Sequence, residues 1–205
     1  MGKNLRHANG SKNVLVRPEP IHTAGPSLTS LKRHLAFAAI SPTTLRNMFD
    51  RPGSRGVICE ELAGIDLDEL GNVNVHDALD QWTRHLALLT GAWGPSRKAL
   101  NLFLRDVSYN HWMRAHFGFE RFEHSLEIPL DGVVMTKLRN LDPSLPRPPA
   151  VKRLHPESSE LFQNAASRIA ENRGVARVHL DIELWHGGTR EKPEKIEKNL
   201  GSSGI

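Results

Sequence analysis

Along most of this chain apolar side chains return every three or four positions, the spacing of one helix face. Convincing strand alternation is absent. The clearest stripe runs over 75–89, where Leu79, Trp82, Leu86 and Leu89 share one side and Asp80, Arg84 and His85 lie on others. A second strong helix is predicted from Pro95 or Ser96 to about residue 113, with Leu100, Phe103, Leu104 and Val107 on its apolar side. Pro95 suits a first helical turn, where its missing N–H costs nothing. Leu28, Leu31, Leu35 and Ala38 predict a helix starting near Ser27, and Ser41-Pro42 reads as the start of another. Further helices are predicted over 55–63, ended by Gly64, from Asp131 with Val133, Val134 and Leu138 in the core, and over 157–171 and 176–185. The stretch 118–129 is less regular, and four prolines in 142–149 make a stiff, extended connection. The pattern predicts an all-α protein without internal repeats.

A length of 205 residues gives room for one substantial domain, or for two helical lobes sharing a cleft. Residues 1–26 are polar and rich in Gly, Asn and basic side chains, and read as a flexible arm able to touch DNA electrostatically. Residues 27–186 form the helical domain, and 187–205 a charged, flexible tail. The net charge of +4, from 27 Lys+Arg against 23 Asp+Glu, permits a nucleic-acid surface without demanding one. Cys59 is the only cysteine, which excludes an internal disulfide and a cysteine-rich zinc or iron–sulfur cluster. Its neighbours Val57, Ile58 and Leu62 predict a buried, unreactive thiol. No run approaches the ~18 apolar residues of a membrane span. No apolar stretch follows the basic N-terminal residues, which argues against a secretory signal. The expectation is a soluble cytoplasmic protein, nucleoid-associated if prokaryotic.

The break between the two strongest helices carries the chemistry. Thr90-Gly-Ala-Trp-Gly-Pro95 places two glycines and a proline in six residues. Such a hairpin can present backbone N–H groups and a positive helix end to a phosphate. Gly91 and Gly94 would let DNA approach the backbone, with Trp93, Ser96 and Arg97 joining the contact. Arg97 and Lys98 occupy a first helical turn, where cations oppose the helix dipole, so their placement asks for a phosphate or a reaction. An ordinary helix–helix turn with solvent-facing cations is the competing account.

The run Leu89-Thr-Gly-Ala-Trp-Gly-Pro-Ser-Arg-Lys-Ala-Leu-Asn-Leu-Phe-Leu104, with Leu126-Glu-Ile-Pro-Leu-Asp131 further on, resembles the helix-hairpin-helix DNA glycosylase superfamily. Lys98 with Asn101 matches its Lys-x-x-Asn element, and Ile128-Pro129-Leu130-Asp131 its apolar-Pro-apolar-Asp loop. The long interval from Lys98 to Asp131 is most similar to the archaeal-type 8-oxoguanine glycosylase branch. The glycines depart from the usual Gly-x-Gly, standing as Gly91-x-x-Gly94. The resemblance is best over 75–138. It implies a helix-hairpin-helix fold of two lobes around a cleft and a bifunctional glycosylase/AP lyase excising an oxidised base, 8-oxoguanine first, through a lysine Schiff base.

On that reading Lys98 attacks the sugar C1′, aided by burial that disfavours its ammonium form, and Asp131 supports the developing positive charge and moves protons. Asn101 braces the hairpin. Extraction of the base from the stack needs a pocket, for which Tyr109, Trp112, Phe119 and Glu127 are candidates, while Phe103 and Phe117 are assigned to the core. His111, His116 and His124 lack zinc-ligand spacing, so neither a metal nor another cofactor is expected. The expected partner is lesion-bearing duplex DNA, met by a monomer and without a membrane. Other readings stay open: a glycosylase for another modified base, a non-catalytic helix-hairpin-helix DNA-binding module, and a helical assembly protein. The last two give no reason for Ile-Pro-Leu-Asp.

Overall fold

Ser27 is extended, and its hydroxyl accepts the Ser30 N–H at 3.1 Å, which starts helix α1 (Leu28–Ala39). A computed structural model describes residues 25–41, 45 and 53–186 of the chain. The helix expected from Ser41-Pro42 lies largely outside these residues, as do most of the arm expected over 1–26 and the tail expected over 187–205. Helix α2 (Ser54–Gly64) buries Ile58, Cys59 and Leu62. Burial pushes the Cys59 thiol up, toward the protonated form. A 3₁₀ turn, Leu67–Gly71, begins at Asp66 and follows without having been predicted.

Helix α3 (Val75–Thr90) begins at Asn74, whose side chain accepts the His76 N–H at 2.8 Å. It ends where Gly91 turns left-handed at φ 78°, within one residue of the sequence reading. Helix α4 (Trp93–Tyr109) starts two residues before Pro95 and stops short of residue 113. Asn110 leaves helical geometry there, and its side chain accepts the Met113 N–H at 3.1 Å to open α5 (His111–Phe117). The irregular stretch resolves into 3₁₀ turns Phe119–Arg121 and Glu123–Ser125, followed by extended chain to Asp131.

Asp131 caps helix α6 (Gly132–Leu141). Val134, Met135 and Leu138 face inward, while Val133, expected in the core, is exposed. After the proline-rich connection and a 3₁₀ turn, Val151–Arg153, come α7 (Pro156–Arg173) and α8 (Leu180–His186), separated by a 3₁₀ turn, Arg177–His179. Among the described residues the regular structure is helical, without strands. No helix among them is long and apolar enough to cross a membrane.

The apolar residues form two cores. The first gathers α1 to α5 around Leu79, Leu86, Leu100, Phe103 and Leu104, and closes with Phe119, Leu126, Ala176 and Val178. The second gathers α6, α7 and α8 around Ile128, Met135, Leu138, Phe162 and Leu180, with Trp93 packed against it. The chain therefore passes from the first core to the second between Leu126 and Ile128, and again between Val178 and Leu180. The residue at each of these crossings, Glu127 and His179, is polar and hydrogen-bonded.

The hairpin between α3 and α4 faces inward. A Cβ on Gly94 would collide with the Val151 carbonyl oxygen and lie 2.9 Å from Leu154 Cβ, so the space beside this glycine is filled by the 151–154 turn. Gly94→Ala is expected to destabilise the fold by about 1–3 kcal/mol through overpacking, read as a lower urea midpoint with an unchanged slope. An unshifted midpoint would show that the 151–154 turn yields freely.

Candidate active site

The first turns of α4 press against the second core, and this buries Lys98 to 6% exposure. Its amine reaches Asp131, with Nζ 3.5 Å from Oδ2. Asp131 is fixed by its other oxygen, Oδ1, which accepts the Val133 and Val134 N–H groups at 2.9 Å each. Capping thus consumes one oxygen and leaves the second turned to the lysine. The loop ahead of it is held by Gln163, whose side chain accepts the Ile128 N–H at 3.2 Å and donates to the Ile128 carbonyl at 2.8 Å. Burial lowers the Lys98 pKa from the ordinary lysine value, against the opposing pull of Asp131 and Asp181. A less protonated amine beside a carboxylate is the combination that nucleophilic attack needs.

Sequence reasoning missed two members of this cluster. Asp181, in the first turn of α8, is 2% exposed and pairs with Arg105. Burial pushes its carboxyl up, and Arg105 opposes this. Arg105 also donates to Asp106 from Nε and Nη2, at 2.9 and 2.7 Å. The available signals were that Arg105 stands seven residues, two turns, after Lys98 on the same helix face, and that Asp181 interrupts an apolar run between Leu180 and Ile182. Two cations, Lys98 and Arg105, thus face three carboxyl groups, those of Asp106, Asp131 and Asp181.

Arg97 was expected to meet DNA and instead lies inside, 3% exposed. Its guanidinium forms a fork on Glu127, Nε to Oε2 at 2.8 Å and Nη2 to Oε1 at 2.7 Å, while Nη1 reaches Asp80 and Thr83 at 2.9 Å each. Asn101 donates to Glu127 Oε2 at 2.9 Å, a bracing position. Glu127, expected to read a base, is therefore committed to Arg97 and Asn101. It forms part of the wall of a cavity of about 410 Å³ shared with Trp93, Arg97, Gln163 and Arg177. Burial alone would push the Glu127 carboxyl up, but the Arg97 guanidinium holds it below the usual carboxylate range.

Other expected contacts are also displaced. Ser96 is fully buried and hydrogen-bonds the Thr90 hydroxyl and the Ala92 carbonyl at 2.8 Å each, closing the hairpin upon itself. Gly94 is occupied as described, and Trp93 is half-buried with the Arg97 guanidinium 5.6 Å from its ring centre. Gly91 alone of the five predicted DNA contacts is exposed.

Phe119, a pocket candidate, is fully buried against Phe122 in the first core. Phe103 is buried there too, and Phe117 packs against it. Trp112 is half-exposed and covers Gly25. Tyr109 lies eleven residues after Lys98, about 16 Å further along the helix axis. It stacks on His179 and hydrogen-bonds Nδ1 at 3.0 Å, with His179 Nε2 2.8 Å from Glu123. Burial pushes the Tyr109 hydroxyl up to about 12, and the Arg114 hydrogen bond holds Glu123 below the usual carboxylate range. Among the described residues no group of three or more His, Cys, Asp or Glu side chains is arranged to hold a metal.

No protein-family model, curated protein or solved structure matches this chain.

Glu127→Gln keeps the side-chain volume but leaves the buried guanidinium with half-exposed Asp80 as its remaining carboxylate partner, and is expected to cost about 3 kcal/mol near neutral pH. A carboxyl held low in the fold stabilises above its unfolded value, about 4.3, and that contribution disappears as pH falls through the folded value. Thermal melts should therefore separate wild type from Glu127→Gln at pH 7 and converge in strong acid. Equal melting at pH 7 would deny the pair its structural role.

Proposed function

We propose that this protein is a lysine-dependent DNA glycosylase with AP lyase activity, acting on an oxidised base, with 8-oxoguanine placed first by the motif resemblance. The observation that carries the reading is the meeting of Lys98 and Asp131, 33 positions apart in sequence, as a mostly buried amine–carboxylate pair. Each belongs to one of the two elements matching the superfamily's pattern, and folding brings them to 3.5 Å.

The chemistry follows from the groups present. The neutral Lys98 amine attacks C1′ of the damaged nucleotide, and the C1′–N bond breaks with its electron pair leaving on the base. Positive charge gathers on the sugar as that bond lengthens, and Asp131 stabilises it. Asp131 also takes the proton that the attacking nitrogen must lose and returns one to the departing base. Ring opening converts the adduct to a Schiff base. Loss of a C2′ proton from it expels the 3′ phosphate oxygen, which cuts the strand. A cluster with three carboxyl groups for two cations suits a positively charged transition state.

DNA contact is not assigned to Gly94, Ser96 or Arg97, whose polar or open sides are spent inside the protein. Gly91 remains the hairpin position open to a phosphate.

The deciding experiment is borohydride trapping on labelled duplexes carrying 8-oxoguanine, an oxidised pyrimidine or uracil. One lesion should give a covalent band that vanishes in Lys98→Ala. Asp131→Asn, which preserves a good N-cap, should lower excision by about 100-fold or more without loss of folding. The rate should rise with pH through a midpoint below that of free lysine, about 10.4. DNA binding without an adduct or strand cleavage on any duplex would favour a non-catalytic DNA-binding module.

A further inference from the structure

We propose that Arg105 and Asp181 act as a mutually cancelling ion pair on the charge state in which Lys98 meets its substrate, each partner offsetting the other's field at the amine. This rests on the reading of Lys98 as the reacting group and assigns Arg105 and Asp181 as positioning residues. Lys98 and Arg105 lie two turns apart on one face of α4, and Asp181 enters from the start of α8 to pair with Arg105. Lys98 and Asp181 are almost wholly excluded from solvent, and Arg105 is 20% exposed. Their mutual fields are therefore weakly screened.

Among the described residues, charged groups that act on Lys98 include Asp131 at the head of α6, Asp181 on α8 and Arg105 on its own helix. Asp106 also pairs with Arg105, and Tyr109, His179 and Glu123 form a further hydrogen-bonded chain.

The two partners act on the amine with opposite sign. The carboxylate favours the ammonium form, and the guanidinium, which does not lose its proton, disfavours it. With both present, burial and Asp131 decide the outcome. Removing Asp181 leaves a permanent cation beside the lysine and frees the amine at lower pH. Removing Arg105 leaves a carboxylate that holds the amine charged to higher pH. A merely structural pair would not give shifts of opposite direction.

The test uses full-length Asp181→Asn, Arg105→Gln and the double variant. One reading is the pH dependence of borohydride adduct formation on a duplex with an abasic site, where no base is present to be recognised. The second is the titration of lysine ¹³Cε resonances by NMR, with Lys98 identified by its absence in Lys98→Arg. Asp181→Asn should move the Lys98 midpoint down by about one unit, Arg105→Gln should move it up by about one, and the double variant should lie near wild type. Shifts in the same direction, or none, would overturn the proposal.

Should a single variant fail to fold, Lys98→Met supplies the reciprocal measurement, since coupling between two sites is mutual. The Asp181 carboxyl must then titrate at higher pH than in wild type, and an unmoved carboxyl would overturn the proposal. Opposite Lys98 shifts by NMR in a protein that forms no adduct would keep the pair's role and remove the glycosylase reading.

Discussion

The structure depends on a guanidinium and a carboxylate that have left water together. Arg97 and Glu127 meet where the chain leaves one apolar core for the other, and each supplies the other's two-pronged contact there, with Asp80, Thr83 and Asn101 completing the network. An unpaired charge at such depth is strongly destabilising, so each partner's position is dictated by the other. That constraint fixes the rotation of α4 against the extended segment 126–131. Lys98 follows Arg97, and Asp131 lies four residues past Glu127, so the same register brings Lys98 and Asp131 together. Gln163 adds the height of the loop by holding both backbone groups of Ile128.

Much of the fold was legible because local signals and burial agree. The 75–89 stripe, Pro95 in a first turn, Gly64, and the proline run at 142–149 each act on the backbone within a few residues, and α2, α3 and α7 appear close to where these predict. Asn110 was harder to read. A side chain that caps a new helix looks, from spacing alone, like one more polar position in a continuing helix, so α4 and α5 read as one. Val133 failed because adjacent helical positions lie about 100° apart, so the face that buries Val134 and Leu138 turns Val133 outward.

The candidate site divides along the same line. Lys98 and Asp131 carry motif spacing and meet in the fold, and Asn101 lies against Glu127. Arg97 was misplaced because two cations at a helix start were read as answers to an external anion. The answering anion for Arg97 is Glu127, which sits 30 positions away in sequence. Ser96 and Gly94 were misread likewise: a small or polar residue that admits a ligand cannot be told, in one dimension, from one that admits a neighbouring carbonyl. Asp181 and Arg105 carry no motif at all, and only the fold joins them.

The interleaved cores bear on how the molecule is made. Ala176 and Val178 close a core otherwise built from residues before 127, while Leu180 and Leu184 belong to the other one. Neither half can finish packing before the segment around 176–184 arrives. During synthesis, the N-terminal helices therefore wait with an apolar gap at the place Val178 will fill, and docking of this late segment completes both cores in one event. The same event delivers Asp181 to Arg105. A growing chain that has not yet packed its last helices thus has neither a closed interior nor an assembled cluster of Lys98, Arg105, Asp131 and Asp181.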